Sequence, residues 1–182
     1  MWKKVLLTMG LIALMVTQVN AQSIGLGPQV GYQKARDADQ GNFMGGAALR
    51  LKLTPSIGVE ASINYRQEKF ANDALTVRSW PVMATGLIYP LPIVYGAIGF
   101  GWYNTTFDFD QSKSPFQAVE DETKQKVGWH FGGGVELPLG SNSKFTADIR
   151  YVFLDYDFKQ LPGSGDLNGD FYVITAGFLF GL

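Results

Sequence analysis

Apolar and polar residues alternate one by one through the C-terminal third of the chain. Between Val127 and Leu137 nearly every second residue is large and apolar, and the residues between them are glycine, histidine or glutamate. The same period of two recurs over 145–153 and 172–182. Successive side chains of a β-strand point to opposite faces of its sheet, so this period predicts three strands. Each has one apolar face and one face of polar or small residues.

The same alternation divides the residues after position 21 into eight predicted strands. Pro81 interrupts the fourth of them, because a proline lacks the N–H that a central strand donates to its neighbour. Short turns at 54–56, 90–92 and 139–143 alternate with longer polar loops, which is typical of a transmembrane β-barrel. The predicted strands cover residues 24–33, 43–53, 57–66, 75–89, 93–107, 127–137, 145–153 and 172–182.

The predicted fold is therefore all-β: an eight-stranded antiparallel up-and-down transmembrane β-barrel. An even number of antiparallel strands can close without leaving an edge, and closure is required where no water can satisfy a free edge. The strands reach the roughly 9–11 residues that a tilted membrane crossing needs. A soluble lipocalin-like barrel, with its apolar face inward, has the same alternation and remains the alternative fold.

The charged residues of the polar faces predict which face points inward. An arginine on the lipid-facing side of a barrel costs roughly 2–4 kcal/mol near the bilayer midplane. Several such costs would rival the whole stability of a domain, which is typically about 5–15 kcal/mol. An eight-stranded barrel is just wide enough for side chains to fill it, so we expect a polar network that is paired across the lumen. Its predicted members are Arg50, Glu60, Asn64, Arg66, His130, Glu136, Asp148 and Arg150.

The N-terminus has the pattern of a secretory signal peptide. Lys3 and Lys4 precede an apolar run over 5–16, and small residues lie before position 22, as in signal peptides. We expect cleavage after Ala21, so that 1–21 are the signal peptide and 22–182 are the barrel domain. The apolar run is too short to span roughly 30 Å of hydrocarbon.

Composition excludes several classes of function. The chain contains no cysteine, which excludes disulfides, thiol catalysis and thiolate metal sites. Loss of Lys3 and Lys4 with the signal peptide changes the formal net charge from −1 to −3. A chain with this charge balance has no basic surface for nucleic acid, so we expect no nucleic-acid partner.

Three features together resemble the small outer-membrane β-barrel proteins of Gram-negative bacteria. They are the glycine-rich run 132–139, the Asp-Ile-Arg-Tyr segment 148–151 and the aromatic terminal strand 172–182, behind a signal peptide. More narrowly, the chain resembles the porin-like outer-membrane β-barrel domain family that is related to outer-membrane proteins A and X. The resemblance covers essentially all of 22–182, and its diffuse motifs indicate a fold better than a function.

The resemblance implies a location and partners. A protein of this family would lie in the outer membrane, in contact with its lipids and with lipopolysaccharide. The barrel assembly machinery would recognise the last strand, which in the family usually ends in an aromatic residue, whereas Leu182 stands here after Phe180. The peptidoglycan-binding domain of some relatives is missing, so a role in tethering the cell wall is not expected.

One histidine raises the question of catalysis. His130 is the only histidine, and a serine-hydrolase site around it would need a nucleophile and an orienting carboxylate. Ser62 and Ser79 are the conceivable nucleophiles, but the chain has no Gly-x-Ser-x-Gly turn. A histidine in a structural polar network is the simpler interpretation. We therefore expect no catalytic, cofactor-binding or metal site and no enzymatic activity.

The tryptophans and tyrosines are interpreted as girdles at the membrane interfaces, where one end of a ring is apolar and the other is wet. The residues assigned to these girdles are Tyr32, Tyr65, Trp80, Tyr89, Tyr95, Trp102, Trp129 and Tyr151.

The predicted function is that of a monomeric integral outer-membrane barrel with a side-chain-filled lumen. Its role would be structural, or would lie in surface interaction between its external loops and an extracellular ligand. One alternative is a narrow pore for small solutes, because Gly128, Gly132 and Gly134 could leave a water path. A second alternative is a lipid-modifying enzyme that depends on His130.

Overall fold

The computed structural model describes residues 23–36, 40–70, 75–109, 122–154 and 170–182. The expected signal peptide lies outside these residues. Within the described ranges, no helix is long and apolar enough to cross a membrane. The strands in these ranges are β1 (Ser23–Ala35), β2 (Asn42–Thr54), β3 (Ile57–Phe70), β4 (Leu75–Ser79), β5 (Val82–Leu91), β6 (Val94–Phe109), β7 (Glu122–Pro138), β8 (Ser143–Phe153) and β9 (Phe171–Gly181).

The strands form one closed antiparallel sheet. β1 pairs with β2 and also with β9, which joins the first strand to the last. β4 and β5 both lie between β3 and β6, so they are two parts of a single crossing. The described residues therefore form a barrel of eight crossings, which confirms the predicted fold and leaves no edge strand among those crossings.

The fourth crossing is interrupted at Trp80 and Pro81. The ladder continues past this point, because the Asn64 N–H donates to the Pro81 carbonyl at 3.1 Å and the Trp80 N–H donates to the Asn104 carbonyl at 3.0 Å. The residues on both sides keep the same register with β3. Pro81 thus removes one donor from the ladder without turning the strand aside.

Large apolar side chains cover the outer face of the barrel. Ile63 is 51% exposed and Val30 is 65% exposed, although both lie in the middle of regular strands. The residues that alternate with them are buried inside. This is the reverse of a soluble barrel, and it is the arrangement of a barrel whose outer face contacts hydrocarbon. Other members of the outer belt are Leu26, Val59, Ile98, Phe100, Trp129, Phe131, Ile149, Ile174 and Phe178.

The two ends of the barrel differ. The connections 55–56, 92–93 and 139–142 are short and lie at one end, here called the turn end. Gly140 has a φ of 127° in the last of these turns, a conformation that glycine adopts without steric cost. The opposite ends of the strands, which the longer connections join, are called the loop end.

The outer belt predicts that the loss of stability caused by a charge on the outer face depends on the depth of that charge in the membrane. Ile149 lies midway along β8 and Ile57 at the turn end of β3, and their exposures are similar at 51% and 49%. Ile149→Arg should lower the free energy of unfolding from lipid vesicles by about 2–4 kcal/mol, and Ile57→Arg by about 0–1 kcal/mol. Denaturant titration of both variants measures the difference. Equal costs at the two depths would contradict the proposed placement of the belt.

Candidate functional site

Two groups of inward-facing side chains lie at different heights in the lumen and are here called its charged tier and its apolar tier. The charged tier lies toward the turn end and contains Arg50, Glu60, Glu136, Asp148 and Arg150, each at most 7% exposed. The apolar tier lies toward the loop end, where β2 and β9 begin and β8 ends. It consists of Met44, Tyr103, Val152, Leu154, Phe171 and Val173, which form one buried cluster.

Glu60 on β3 is the centre of the charged tier. Arg50, its neighbour across the β2–β3 ladder, donates from Nε to Oε2 of Glu60 at 2.9 Å, and its Nη2 also contacts that oxygen. Arg150 donates from Nη2 to the other oxygen, Oε1, at 2.6 Å. One carboxylate therefore accepts from two buried guanidinium groups.

Two of these ion pairs cross the full width of the lumen. In a closed ring of eight crossings, β3 and β8 lie four crossings apart, and so do β2 and β7. The Glu60–Arg150 pair joins the first two strands, and the bond from Arg50 Nη1 to Glu136 Oε2, 3.0 Å long, joins the second two. The charged tier therefore connects opposite walls of the barrel.

Glu136 is the most heavily used acceptor near the turn end. Besides Arg50, the Tyr89 hydroxyl donates to its Oε2 at 2.8 Å. The Lys144 ammonium donates to Oε1 at 2.9 Å, and the Lys52 ammonium lies 3.8 Å from the same oxygen. Four side chains thus surround one carboxylate.

Asp148 and Arg150 share β8 and form a two-pronged pair. Arg150 donates from Nε to Oδ1 and from Nη2 to Oδ2 of Asp148, both at 3.0 Å. The Tyr95 hydroxyl donates to Oδ2 at 2.9 Å and accepts from Arg50 Nη2 at 3.1 Å. Tyr95 therefore links the two arginine–carboxylate groups, and the Arg50 guanidinium lies 4.5 Å from the centre of its ring.

His130 joins this network through Thr85. Arg150 donates from Nη1 to the Thr85 hydroxyl at 3.1 Å, and that hydroxyl lies 3.0 Å from Nε2 of His130. Because a guanidinium can only donate, the Thr85 hydroxyl accepts from Arg150, and with one proton and a second lone pair it can either donate to Nε2 or accept from it. The other ring nitrogen of His130, Nδ1, has no hydrogen-bond partner among the described residues.

Glycines on the inner face make room for these long side chains. A Cβ atom at Gly99 would lie 2.8 Å from Nε2 of His130, and one at Gly134 would lie 2.8 Å from Cζ of Tyr95. Both distances are shorter than a normal carbon contact, so any larger residue would displace part of the network.

The predicted lumen residues do not all meet. Arg50, Glu60, Glu136, Asp148 and Arg150 form one connected network, and His130 contacts it through a threonine. Asn64 lies apart from it and accepts a 2.7 Å hydrogen bond from Gln29. Arg66 lies farther along β3, opposite Ser79 of β4.

Two tyrosines were wrongly predicted to lie in the interface girdles. Tyr89 and Tyr95 are 4% and 1% exposed, and both point into the lumen. The alternation along β6 does indicate the inward position of Tyr95, because Tyr95 is out of phase with the outward-facing Ile98 and Phe100. In contrast, Tyr65, Trp102 and Trp129 do lie on the outer face, at 38–50% exposure.

Neither the apolar tier nor the contact of Thr85 with the network was predicted from the sequence. Val152, Val173 and Met44 occupy inward positions of their strands, so their phase predicts a lumen location for apolar side chains. Thr85 occupies an inward position of β5. The alternation does not predict which inward-facing residues contact each other across the barrel.

The serines considered as nucleophiles do not contact His130. Ser79 Oγ accepts from Thr105 at 3.4 Å, and Ser62 Oγ has no partner among the described residues. Within those described ranges, no carboxylate accepts a hydrogen bond from His130, and its ring is fully buried. Among the residues that the structure describes, no group of three or more His, Cys, Asp or Glu side chains is placed to hold a metal ion.

Comparison with known proteins gives a family and a fold. Residues 5–180 match the family model described as outer membrane protein beta-barrel domain. No curated protein matches the chain in sequence. Neisserial surface protein A is similar in structure, with a TM-score of 0.64 at 12% identity over 90% of this chain and 99% of that one.

Two further structures have the same fold at low identity. A major outer membrane protein of Thermus thermophilus superposes with a TM-score of 0.60 at 11% identity, over 88% of this chain and 100% of that one. The attachment invasion locus protein Ail of Yersinia pestis, solved with the heparin analogue sucrose octasulfate, gives 0.51 at 19% identity, over 87% and 95%.

The position of Glu60 between two arginines predicts a large effect of neutralising it. Glu60→Gln should lower the free energy of unfolding by about 3–5 kcal/mol, because it leaves two buried guanidinium groups with one carboxylate partner fewer. Glu68→Gln is the matched control, since Glu68 lies on the same strand, is partly exposed and accepts from Asn42 at 2.7 Å. Its cost should stay below about 1 kcal/mol. Denaturant unfolding in lipid vesicles measures both, and similar costs would contradict the central role of Glu60.

Proposed function

The chain belongs to the outer membrane protein beta-barrel domain family, and on that premise we propose that it is a plugged barrel that does not conduct. Its role is structural, or it binds extracellular partners through the connections at its loop end. The observation that carries this proposal is the pair of ion pairs across the lumen, Arg50 with Glu136 and Glu60 with Arg150.

The two tiers block the lumen by different physical means. In the charged tier, side chains from opposite walls are in hydrogen-bond contact, so a solute would have to break buried ion pairs in order to pass. In the apolar tier, Val152 and Leu154 are 0% and 2% exposed. A constriction lined by apolar side chains excludes water and, with it, hydrated ions.

The glycine-lined inner face supports a filled lumen better than a pore. A Cβ atom at Gly128 would lie 2.6 Å from the Phe153 carbonyl oxygen and 2.9 Å from Cδ1 of Leu154. One at Gly134 would lie 2.5 Å from Cβ of Asp148 and 2.8 Å from Cζ of Tyr95. The space beside these glycines is therefore occupied by backbone and side-chain atoms of neighbouring residues. This supports the plugged barrel over a water path along the glycines.

The surroundings of His130 support a non-enzymatic role. Its ring is fully buried and is hydrogen-bonded to the Thr85 hydroxyl. A hydrolase site would instead need a carboxylate that orients the ring. The structure of Ail with a heparin analogue supports surface binding as a role that this fold can carry. For this chain, we further propose a monomer in contact with outer-membrane lipids and lipopolysaccharide, inserted by the barrel assembly machinery through β9.

Single-channel conductance in planar bilayers tests the plug. The unmodified barrel should be silent, and so should Glu136→Ala with Arg150→Ala, because the apolar tier still closes the lumen. Tyr103→Ala with Phe171→Ala should also be silent, because the charged tier remains. Only the fourfold variant should pass ions.

One result would contradict the plug itself, and another would contradict its assignment to the two tiers. Steady openings of the unmodified, correctly folded barrel would replace the plug with a pore. Silence of a folded fourfold variant would mean that other side chains close the lumen. The shift in gel mobility between heated and unheated samples reports whether each variant is folded.

The proposal also predicts the orientation of the barrel. The chain lacks cysteine, so Ser114→Cys, Ser164→Cys and Ser141→Cys each introduce a single thiol. A membrane-impermeant maleimide added to intact cells should label the first two and leave Ser141→Cys, at the turn end, unlabelled. Labelling of Ser141→Cys alone would mean that the barrel is inverted.

A further inference from the structure

A small cavity lies at the turn end of the lumen, between the charged tier and the turn 139–142. Its volume is about 100 Å³, and its wall includes Arg50, Lys52, Lys144, Glu136 and Ser23. Three basic side chains thus border a cavity that contains one acidic side chain. The question is whether the lumen itself neutralises these positive charges.

Basic groups outnumber acidic groups in this half of the lumen. The two arginines of the charged tier are bound by its carboxylates, each pair at 3.0 Å or less. Lys52 and Lys144 both approach the same carboxylate, that of Glu136. Among the described residues of the turn half, four basic side chains, Arg50, Lys52, Lys144 and Arg150, therefore face three acidic ones, Glu60, Glu136 and Asp148. The excess positive charge lies on the two lysines at the cavity.

The lysines also have hydrogen-bonding capacity to spare. The Lys52 ammonium is 3.8 Å from Glu136, beyond hydrogen-bond distance, and lies 4.0 Å above the Tyr89 ring. Lys144 donates to Glu136 and, at 3.3 Å, to Ser23 Oγ. Each ammonium has three N–H donors, so donors of both remain, and the Ser23 hydroxyl that accepts from Lys144 can donate in turn.

Partial burial strengthens the attraction of these groups for an anion. The side chains of Lys52 and Lys144 are 16% and 33% exposed. Charges that are partly shielded from water interact more strongly than fully solvated ones, because the effective dielectric constant around them is lower. Both side chains still reach solvent at the turn end, so an ion can enter.

We propose that this cavity binds a phosphate-sized oxyanion from the side of the membrane at which the turn end lies. Lys52, Lys144 and Ser23 would donate to the oxygens of the anion, and lysine is a common point-charge ligand of phosphate. At about 100 Å³ the cavity is several times larger than the roughly 10–15 Å³ that a single water needs, which leaves room for one tetrahedral group. The anion is either free or the terminal phosphate of a larger molecule. This proposal is independent of whether the lumen conducts.

Calorimetric titration of the refolded barrel in detergent micelles tests the site. Inorganic phosphate and glycerol 3-phosphate are titrated in separate experiments, in a chloride buffer. Lys52→Gln with Lys144→Gln should weaken binding at least about tenfold, because both charged donors are lost. Lys34→Gln with Lys126→Gln removes the same charge toward the loop end and should leave binding unchanged.

The two ligands distinguish the source of the anion. Binding of inorganic phosphate alone supports a free ion as the ligand, whereas equal or tighter binding of glycerol 3-phosphate supports a phosphate carried by a larger molecule. Absence of binding of both at millimolar concentration overturns the proposal. An equal loss of affinity in both double variants also overturns it.

A second measurement does not depend on the folding of a variant. Amide chemical shifts of the unmodified barrel are followed during a titration with inorganic phosphate. Changes at Ser23 and at 139–144, with none at the loop end, support the site. Changes only at the loop end, or none at all, overturn it.

Discussion

The absence of water in the membrane interior is the constraint on which the structure depends. Every backbone N–H and C=O in hydrocarbon must find a partner within the protein, and a sheet can achieve this only by closing on itself. Here β1 pairs with β9 and completes a ring of eight crossings. A ring of that size leaves a lumen so narrow that arginine and glutamate side chains from opposite walls touch.

Closure therefore determines the chemistry of the interior. Charges that the lipid-facing side excludes lie inside, where little water reaches them, and a buried charge is costly unless it is paired and hydrogen-bonded. Glu60 meets this requirement by accepting from Arg50 and Arg150 at once. Inner glycines such as Gly99 leave the volume that these long side chains occupy. The lysines at the turn end are the part of the network with positive charge to spare.

The fold follows from the sequence because alternation is a local property of each strand. The period of two predicted the crossings and the outer belt, and Pro81 marked the interruption between β4 and β5. Pairing across the lumen is not local, because which inward residues meet depends on the tilt and stagger of the closed sheet. Asn64 and Glu60 share a face of β3, yet only Glu60 reaches Arg150. Tyr95 was wrongly assigned to an interface girdle because tyrosines are common there. Its position in the alternation places it on the inner face.

A double-mutant cycle on Glu60 and Arg150 tests most directly whether the lumen charges pair across the barrel. Glu60→Gln, Arg150→Gln and the double variant are unfolded from lipid vesicles, and the interaction energy is taken from the four free energies. Contact across the lumen predicts a coupling of about 1.5 kcal/mol or more, as for other close charge pairs. The same cycle on Glu68 and Arg150 should be additive within about 0.5 kcal/mol. Additivity for Glu60 and Arg150 would contradict a lumen closed by paired charges.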